Sequence, residues 1–171
     1  GRRFVRATGL DTRITAFLGE AGVSPVFYGM VPPEPRVEDV EAGADLCRRE
    51  GCDAVIAVGG GSPLDAGKAI AVLARNSGAL GEYFGEEAFP CDPLPVAAVP
   101  TTCGTGSEVT RYAVIVDPAA QTKKTVSSER IIPRLAVLDG TLVDTLPVHL
   151  AAATAMDAVC HAVESLLSVR E

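Results

Sequence analysis

A run of three glycines after an apolar stretch is the first feature of the sequence with a chemical implication. Gly59, Gly60 and Gly61 follow the apolar residues 54–58 and precede Ser62 in the segment AVIAVGGGSPLDAGK. Glycine lets the backbone approach a ligand closely, and the free N–H groups at the start of a helix bind phosphate. Gly60, Gly61 and Ser62 are therefore candidate phosphate-binding residues. The alternative is a tight strand-to-helix turn that binds no ligand.

This segment departs from two common phosphate-binding motifs. A Walker A loop would have glycine at the position of Ser62 and Ser or Thr after Lys68. The dinucleotide fingerprint would have Gly or Ala at the position of Leu64. The residues indicate phosphate binding, but by neither of these motifs.

A second loop rich in glycine and hydroxyl groups follows the next predicted strand. Its sequence, PTTCGTGSEVT, covers residues 100–110 and contains Thr101, Thr102 and Thr110. Loops at the carboxyl ends of parallel strands face the ligand crevice of an open sheet, so two such loops can bind one elongated phosphate ligand. The alternative is a polar surface loop.

Asp157 and His161 are candidate metal ligands near the end of the chain. They are four residues apart in a predicted helix, which places both side chains on one face. Carboxylate and imidazole both suit iron or zinc. For an isolated pair of this kind, a salt bridge or cap on a helix surface is the more common explanation. His149 lies near the helix start, and we interpret it as a surface residue.

The elements that would position these residues alternate between strands and helices, which predicts an α/β fold with a parallel sheet. We place strands at 23–28, 53–58, 94–99, 112–116 and 135–138, and helices at 12–21, 37–50, 63–75 and 149–169. In the third helix we place Ser62 at the N-cap, Pro63 at the first position and Asp65 at the third. An alanine-rich composition begins after Leu146-Pro147. We therefore divide the chain into an α/β domain at 1–140 and the beginning of a helical domain at 141–171.

Composition excludes several classes of protein. The formal net charge of -7 argues against a non-specific nucleic-acid binder. The five cysteines form no CxxC pair, and the chain shows no signal-peptide pattern and no continuous apolar run of membrane-spanning length. The sequence predicts a reduced, cytoplasmic protein with no nucleic-acid or membrane partner.

Taken in order, these motifs resemble the iron-containing (group III) alcohol dehydrogenase family. The matching segments are GGGSPLDAGK, PTTCGTGSEVT, Lys123 ahead of Pro133, and MDAVCHAVE at residues 156–164. The resemblance covers essentially the whole chain. It implies a Rossmann-like nucleotide-binding domain, then the start of an all-helical metal-binding domain like that of dehydroquinate synthase.

The resemblance also implies roles for individual residues. Gly61 and Ser62 would hold the pyrophosphate of NAD or NADP in a loop shaped by Gly60. Thr101, Thr102 and Thr110 would line the cofactor, and Lys123 would contact it from a neighbouring strand. Asp157 and His161 would be the first two ligands of Fe²⁺, with Zn²⁺ possible. The metal would polarise the oxygen of a small alcohol or aldehyde during hydride transfer, so we name no protein general base and no separate catalytic residue.

Departures from the family pattern carry their own expectations. The family has two further metal-binding histidines downstream and an additional N-terminal segment, so we expect this chain to be a fragment that does not turn over alone and the full-length protein to be a homo-oligomer. Ala7, beside Arg6, stands where many members have an Asp after the first strand, which would favour or tolerate NADP. Glu34 replaces a common Asn between two prolines. Gly67 replaces a usual Ala, at an expected cost of about 1 kcal/mol of helix stability.

Other functions remain open on the sequence alone. A zinc-type glycerol dehydrogenase and a lyase of the dehydroquinate synthase kind are disfavoured by the intact PTTCGTGSE segment. A hydroxyacid–oxoacid transhydrogenase would use the same cofactor site. From a different class, the chain could be a non-catalytic nucleotide-binding module.

Overall fold

The computed structural model describes residues 5, 7–29, 31–144 and 146–169. The helices are α1 (Leu10–Glu20), α2 (Val37–Glu50), α3 (Gly61–Arg75) and α4 (Val148–Leu167). The strands are β1 (Val55–Gly59), β2 (Gly85–Glu86), β3 (Val96–Pro100), β4 (Tyr112–Asp117), β5 (Thr122–Ser127) and β6 (Leu135–Ala136). Short 3-10 turns occupy Leu80–Tyr83, Glu129–Ile131 and Gly140–Leu142.

The predicted parallel sheet is formed by β1, β3 and β6, with β3 in the centre. β1 and β3 run side by side from Val55 opposite Val96 to Gly59 opposite Pro100. Their carboxyl ends therefore lie together, and the two glycine-rich loops leave the sheet from neighbouring positions. This confirms the predicted α/β class and explains why two loops so far apart in sequence meet.

Helix α3 is the centre of the fold. Residues 66–73 are all buried, so the helix is enclosed on every side instead of having one apolar stripe. One face packs with Leu64 and Ala71 against Ala57 and Ala98 of the parallel sheet. The opposite face packs in a second hydrophobic cluster with α2 and with strands β4 and β5. This cluster includes Val40, Ile70, Ile115 and Val126.

A second, mixed sheet covers the far side of α3. β5 pairs antiparallel with β4 and parallel with the short β2. The residue pattern predicted β4 but not β5, whose sequence TKKTVS has a polar first half, although the family resemblance implied that Lys123 lies on a strand. Its pairing with β4 determines the strand conformation, which local sequence did not reveal.

The predicted strand at residues 23–28 is wrong. Residues 23–29 form no strand pairing with any described residue, although Val26 and Phe27 are exposed apolar residues of the kind strands contain. β1 is an outer strand of its sheet, and Ile56 on it is 43% exposed. A stretch with strand propensity forms a strand only when it pairs with a neighbouring strand, and residues 23–29 pair with no described strand, although the outer edge of β1 is free.

Helix α4 differs from the other helices because none of its residues is buried. It begins one residue before the predicted helix and ends two residues earlier. By length and composition alone it could cross a membrane, with a mean hydropathy of 1.3. The sequence has no continuous apolar run here because Asp157 and Glu164 interrupt it, whereas the mean hydropathy of the helix tolerates two charged residues.

Candidate functional site

The first loop turns directly into α3 at Gly60. Gly60 is the N-cap, with an extended backbone, so the helix starts at Gly61. Our placement of Ser62 at the N-cap is therefore wrong: it lies within the first turn. The N–H groups of Gly61 and Ser62 belong to the unpaired donors of that turn, and Pro63 has no N–H. Gly61, Ser62 and the Ser62 hydroxyl together supply donors suited to an anion.

The two loops touch each other closely, and they leave little space for a side chain at the start of α3. The Thr101 N–H donates to the Gly59 carbonyl at 2.9 Å, extending the pairing of β1 and β3. A Cβ on Gly60 would be 3.0 Å from Thr102 Oγ1, and one on Gly61 would be 3.1 Å from Thr105 Cγ2. Thr101 is buried and Thr102 is half-buried. The structure thus brings together Gly60, Gly61, Thr101 and Thr102 from the predicted set.

Lys68, for which the sequence analysis assigned no role, fastens the second loop to α3. Its side chain is fully buried. The ammonium donates to the carbonyl of Ser107 at 2.9 Å and to that of Tyr112, and lies 3.4 Å from both the carbonyl and the hydroxyl of Thr110. Thr110 therefore contacts α3 through the Lys68 ammonium.

Asp65 completes this attachment. Its carboxylate accepts from the Ser107 hydroxyl at 2.5 Å and from the Val114 N–H at 3.1 Å, and it is 3.2 Å from the Lys68 ammonium. Burial lowers the pKa of Lys68, and the charge of Asp65 opposes that shift. Asp65 and Lys68 are three residues apart on one helix face, a spacing that would have suggested an ion pair but not its partners in the distant loop.

Lys123 is connected to the first loop through Glu34. Lys123 lies on β5 in the mixed sheet, and its ammonium is 2.6 Å from the Glu34 carboxylate. Both side chains are exposed, and the hydrogen bond from Lys123 lowers the pKa of Glu34. The Glu34 N–H in turn donates to Ser62 Oγ at 3.3 Å. Glu34 has a φ of 59°, in the left-handed region that Asn tolerates better, so the departure from the family residue falls at a strained position.

Asp157 and His161 share one face of α4, as their spacing predicts. His161 Nε2 is 3.5 Å from Asp157 Oδ2, and both side chains are about half exposed. The same face approaches the second loop, because a side chain on Gly104 would collide with the carbonyl of Thr154, one turn before Asp157. Asp157 and His161 fit two ligands of one divalent ion. In the described part of the chain, no group of three or more potential ligands exists.

The structure does not support the strand-end position assumed for Ala7. Arg6 lies outside the described residues. Ala7 is exposed and helical, ahead of α1. The argument for NADP is therefore reduced to the absence of an acidic side chain at this position.

A cleft away from the two loops is a poor match for the predicted site. It has a volume of about 920 Å³ and runs along β1 and α1, beside residues 23–29. Val26, Phe27 and Ile56 are among its lining residues, whereas Ser62 and the second loop are not. An apolar cleft of this kind does not suit a pyrophosphate, so we locate the candidate site at the two loops.

Comparison with known proteins gives a consistent set of relatives. A family model for iron-containing alcohol dehydrogenases matches residues 1–140. The NAD-dependent methanol dehydrogenase of Bacillus methanolicus is 38% identical over 165 residues, covering 96% of this chain and 43% of that protein. The 1,3-propanediol dehydrogenase of Citrobacter freundii is 39% identical over 168 residues, covering 98% and 43% respectively.

Solved structures agree with the fold. An iron-containing alcohol dehydrogenase from Thermotoga maritima has a TM-score of 0.90 and 32% identity, and the match covers 99% of this chain and 46% of that one. A sulfoacetaldehyde reductase from Bifidobacterium kashiwanohense in complex with NAD+ has a TM-score of 0.78 and 31% identity over 91% of this chain and 46% of that one. The chain thus spans less than half the length of these relatives. α4 lies beyond the family-model match, but the alignments that cover 96% and 99% of this chain include most of it.

Proposed function

Because this chain belongs to the iron-containing alcohol dehydrogenase family, we propose that it supplies the nucleotide-binding half of a metal-dependent, NAD(P)-linked alcohol dehydrogenase or aldehyde reductase. The observation that carries the proposal is the contact of two glycine- and threonine-rich loops at the carboxyl ends of neighbouring parallel strands. This is where an open α/β sheet binds its ligand.

In this proposal the first turn of α3 binds the cofactor pyrophosphate. The N–H groups of Gly61 and Ser62 and the Ser62 hydroxyl donate to it, helped by the positive end of the helix. Thr101 and Thr102 line the neighbouring side, and Thr110 supports that wall through Lys68. Lys123 contributes positive charge, which Glu34 partly neutralises.

Asp157 and His161 would hold a divalent ion, Fe²⁺ or Zn²⁺, from the adjoining face of α4. A bound nicotinamide would supply hydride-transfer chemistry, and a bound ion would supply a Lewis acid for the substrate oxygen. The residues of this chain bind and orient these groups, and none is assigned a proton-transfer role. A small alcohol or aldehyde is the substrate class, in keeping with relatives named for methanol and 1,3-propanediol.

The Ser62 hydroxyl provides a direct test of the nucleotide site. We expect Ser62→Ala to weaken ADP-ribose binding by about ten- to a hundredfold, because a hydrogen bond to a charged group contributes roughly 1.5–3 kcal/mol. Isothermal titration with ADP-ribose, NAD and NADP measures the change. Ser77→Ala, at an exposed serine after α3, is the matched control. Equal affinities for the two variants would show that the Ser62 hydroxyl does not contribute to nucleotide binding.

Glu34 should show the opposite effect in the same titration. Glu34→Gln removes a negative charge beside the pyrophosphate and releases Lys123, so binding should tighten by about two- to threefold at low salt. The gain should shrink at high salt, because exposed charges are screened.

The same titrations test the expectation, based on Ala7, that the site favours or tolerates NADP. Binding of NADP at least as tight as that of NAD would support it, and a clear preference for NAD would refute it.

A non-catalytic nucleotide-binding role is the second candidate for this chain. It is favoured by the absence, among the described residues, of any cluster with more than two potential metal ligands. Dinucleotide binding without metal-dependent aldehyde reduction would support it for the 171-residue chain. Turnover that depends on added iron or zinc would refute it.

A further inference from the structure

The end of α2 brings two cysteines together. Gly51 adopts the left-handed conformation, with a φ of 66°. Its N–H donates to the Arg48 carbonyl at 3.3 Å, and the Cys52 N–H donates to the Cys47 carbonyl at 2.9 Å. This pair of bonds is the Schellman motif, in which the residues at the positions of Cys47 and Cys52 commonly make a side-chain contact. Here both of those residues are cysteine.

The surroundings leave this pair accessible. Both cysteines are half-buried and unpaired, and both line a cleft of about 450 Å³ between the end of α2 and the residues preceding β1 and β3. Burial, followed by the proximity of Cys52, raises the pKa of Cys47 to about 11. Cys91, Cys103 and Cys160 are exposed cysteines outside this cleft.

We propose that Cys47 and Cys52 form a dithiol site that closes reversibly into an intrachain disulfide. The oxidant is a low-molecular-weight disulfide such as oxidised glutathione. One protein thiolate attacks it and releases a glutathione thiolate, and the second cysteine then displaces the other glutathione from the mixed disulfide. The protein loses two electrons and two protons, and the glutathione disulfide is reduced to two thiols. The closed bridge ties the last turn of α2 to the segment that leads into β1.

Trypsin digestion can detect this disulfide directly. Arg48 and Arg49 lie between the two cysteines, so trypsin separates a peptide ending at Arg48 from one that contains Cys52 and ends at Lys68. Only a disulfide holds these peptides together without reductant. We would replace Cys91, Cys103 and Cys160 by serine, equilibrate the chain in glutathione redox buffers, block free thiols, digest and identify the peptides by mass spectrometry.

The expected product is the linked peptide pair, with an intact mass lower by two hydrogens and full reversal by dithiothreitol. The equilibrium constant for closure should be about tenfold higher in the folded chain than in urea, because the turn raises the effective concentration of one thiol at the other. Adding Cys52→Ser should leave only a glutathione mixed disulfide on Cys47. Separate mixed disulfides without the linked pair, or equal closure in urea, would overturn the proposal. Wild-type chain digested alongside keeps the assay decisive if a serine variant does not fold.

Discussion

Lys68 shows how one buried charge can support a binding site without touching the ligand. Its side chain is fully enclosed, and the acceptors around it come from the second loop, from the first residue of β4 and from Asp65. A buried ammonium is stable only when its hydrogen bonds are satisfied. The loop conformation and the charge therefore depend on each other.

We expect Lys68→Met to destabilise the chain by about 3–5 kcal/mol, because it leaves Asp65 and the loop carbonyls without their partner. Urea unfolding measures the change, and nucleotide titration should show a parallel loss of affinity. Arg75→Met, at an exposed position on the same helix, should change stability by less than about 0.5 kcal/mol. Similar small effects for both variants would mean that Lys68 does not anchor the loop.

Residue patterns revealed much of the candidate site but not its supports. The Gly-Gly-Ser segment and the Thr-rich loop could be identified because phosphate binding restricts which residues can stand there. Lys68 and Asp65 could not be assigned roles, because their partners are 39 to 49 residues away in sequence. The N-cap was misplaced for a similar reason. The space around Gly60 and Gly61 is limited by Thr102 and Thr105, which belong to another loop.

At the scale of elements, the packing of α3 on β1 depends on Gly67. A Cβ there would be 2.6 Å from the Cβ of Ala57, a separation that atoms do not tolerate. The sequence suggested that alanine would improve this helix by about 1 kcal/mol. The structure reverses the sign, because a methyl group would force the helix away from the sheet.

We therefore expect Gly67→Ala to destabilise the fold by about 1–3 kcal/mol, as overpacked cores do. Gly19→Ala, in α1 with open space around it, should instead stabilise by about 0.5–1 kcal/mol. Urea unfolding of both variants gives the comparison. Adding Ala57→Gly to Gly67→Ala should recover part of the loss, and a stabilised Gly67→Ala would show that the helix and strand can separate at little cost.

Glu87 connects the end of β2 to the turn after β5. Its carboxylate accepts from Ser128 Oγ at 2.9 Å, from the Glu129 N–H at 3.2 Å and from Arg130 Nε at 3.2 Å. These contacts, chiefly the one from Ser128, lower the pKa of Glu87 below its usual 4.5. The ionised form is thus favoured in the folded state.

This shift predicts the pH dependence of a Glu87→Gln variant. The stabilisation from Glu87 is complete above the unfolded pKa and is lost as the pH falls through the lower folded pKa. The variant should be less stable than wild type at pH 7, and the difference should vanish in strong acid. Urea midpoints across this range test the expectation, with Glu20→Gln at an exposed end of α1 as control. A difference that is constant with pH would assign the effect to something other than ionisation.

The helices were easier to predict than the strands. Helix α2 matches its predicted bounds because its last residue is followed by Gly51 in a left-handed conformation, a local signal. β5 was missed and the strand at 23–28 was wrong because strand formation depends on a pairing edge elsewhere in the chain. The parallel sheet itself was predictable, since its strands are short apolar runs flanked by loops and helices.

At the scale of the whole molecule, α4 is loosely connected to the rest. It has no buried residue, whereas Leu142, in the turn before it, is buried. We proposed a domain boundary at residue 140 from composition. The packing extends at least as far as Leu142, so the boundary we now propose lies in the segment between that residue and α4.

Two truncated chains test this boundary. A chain ending at residue 147 should keep most of the unfolding free energy of the whole, because it retains Leu142 and removes no buried residue of α4. A chain ending at residue 140 should lose about 1.5–3 kcal/mol more, the contribution of one buried leucine. Calorimetry or urea unfolding measures both. If removal of α4 alone causes the larger loss, the helix is an integral part of the first domain.

The outer edge of β1 has a consequence for the behaviour of the chain in solution. Among the described residues no strand pairs with that edge, and Ile56, Val26 and Phe27 expose apolar surface beside it. An uncovered strand edge next to apolar side chains is a template on which extended segments of other molecules can add. We therefore expect the isolated chain to aggregate more readily as its concentration, the temperature or the storage time increases.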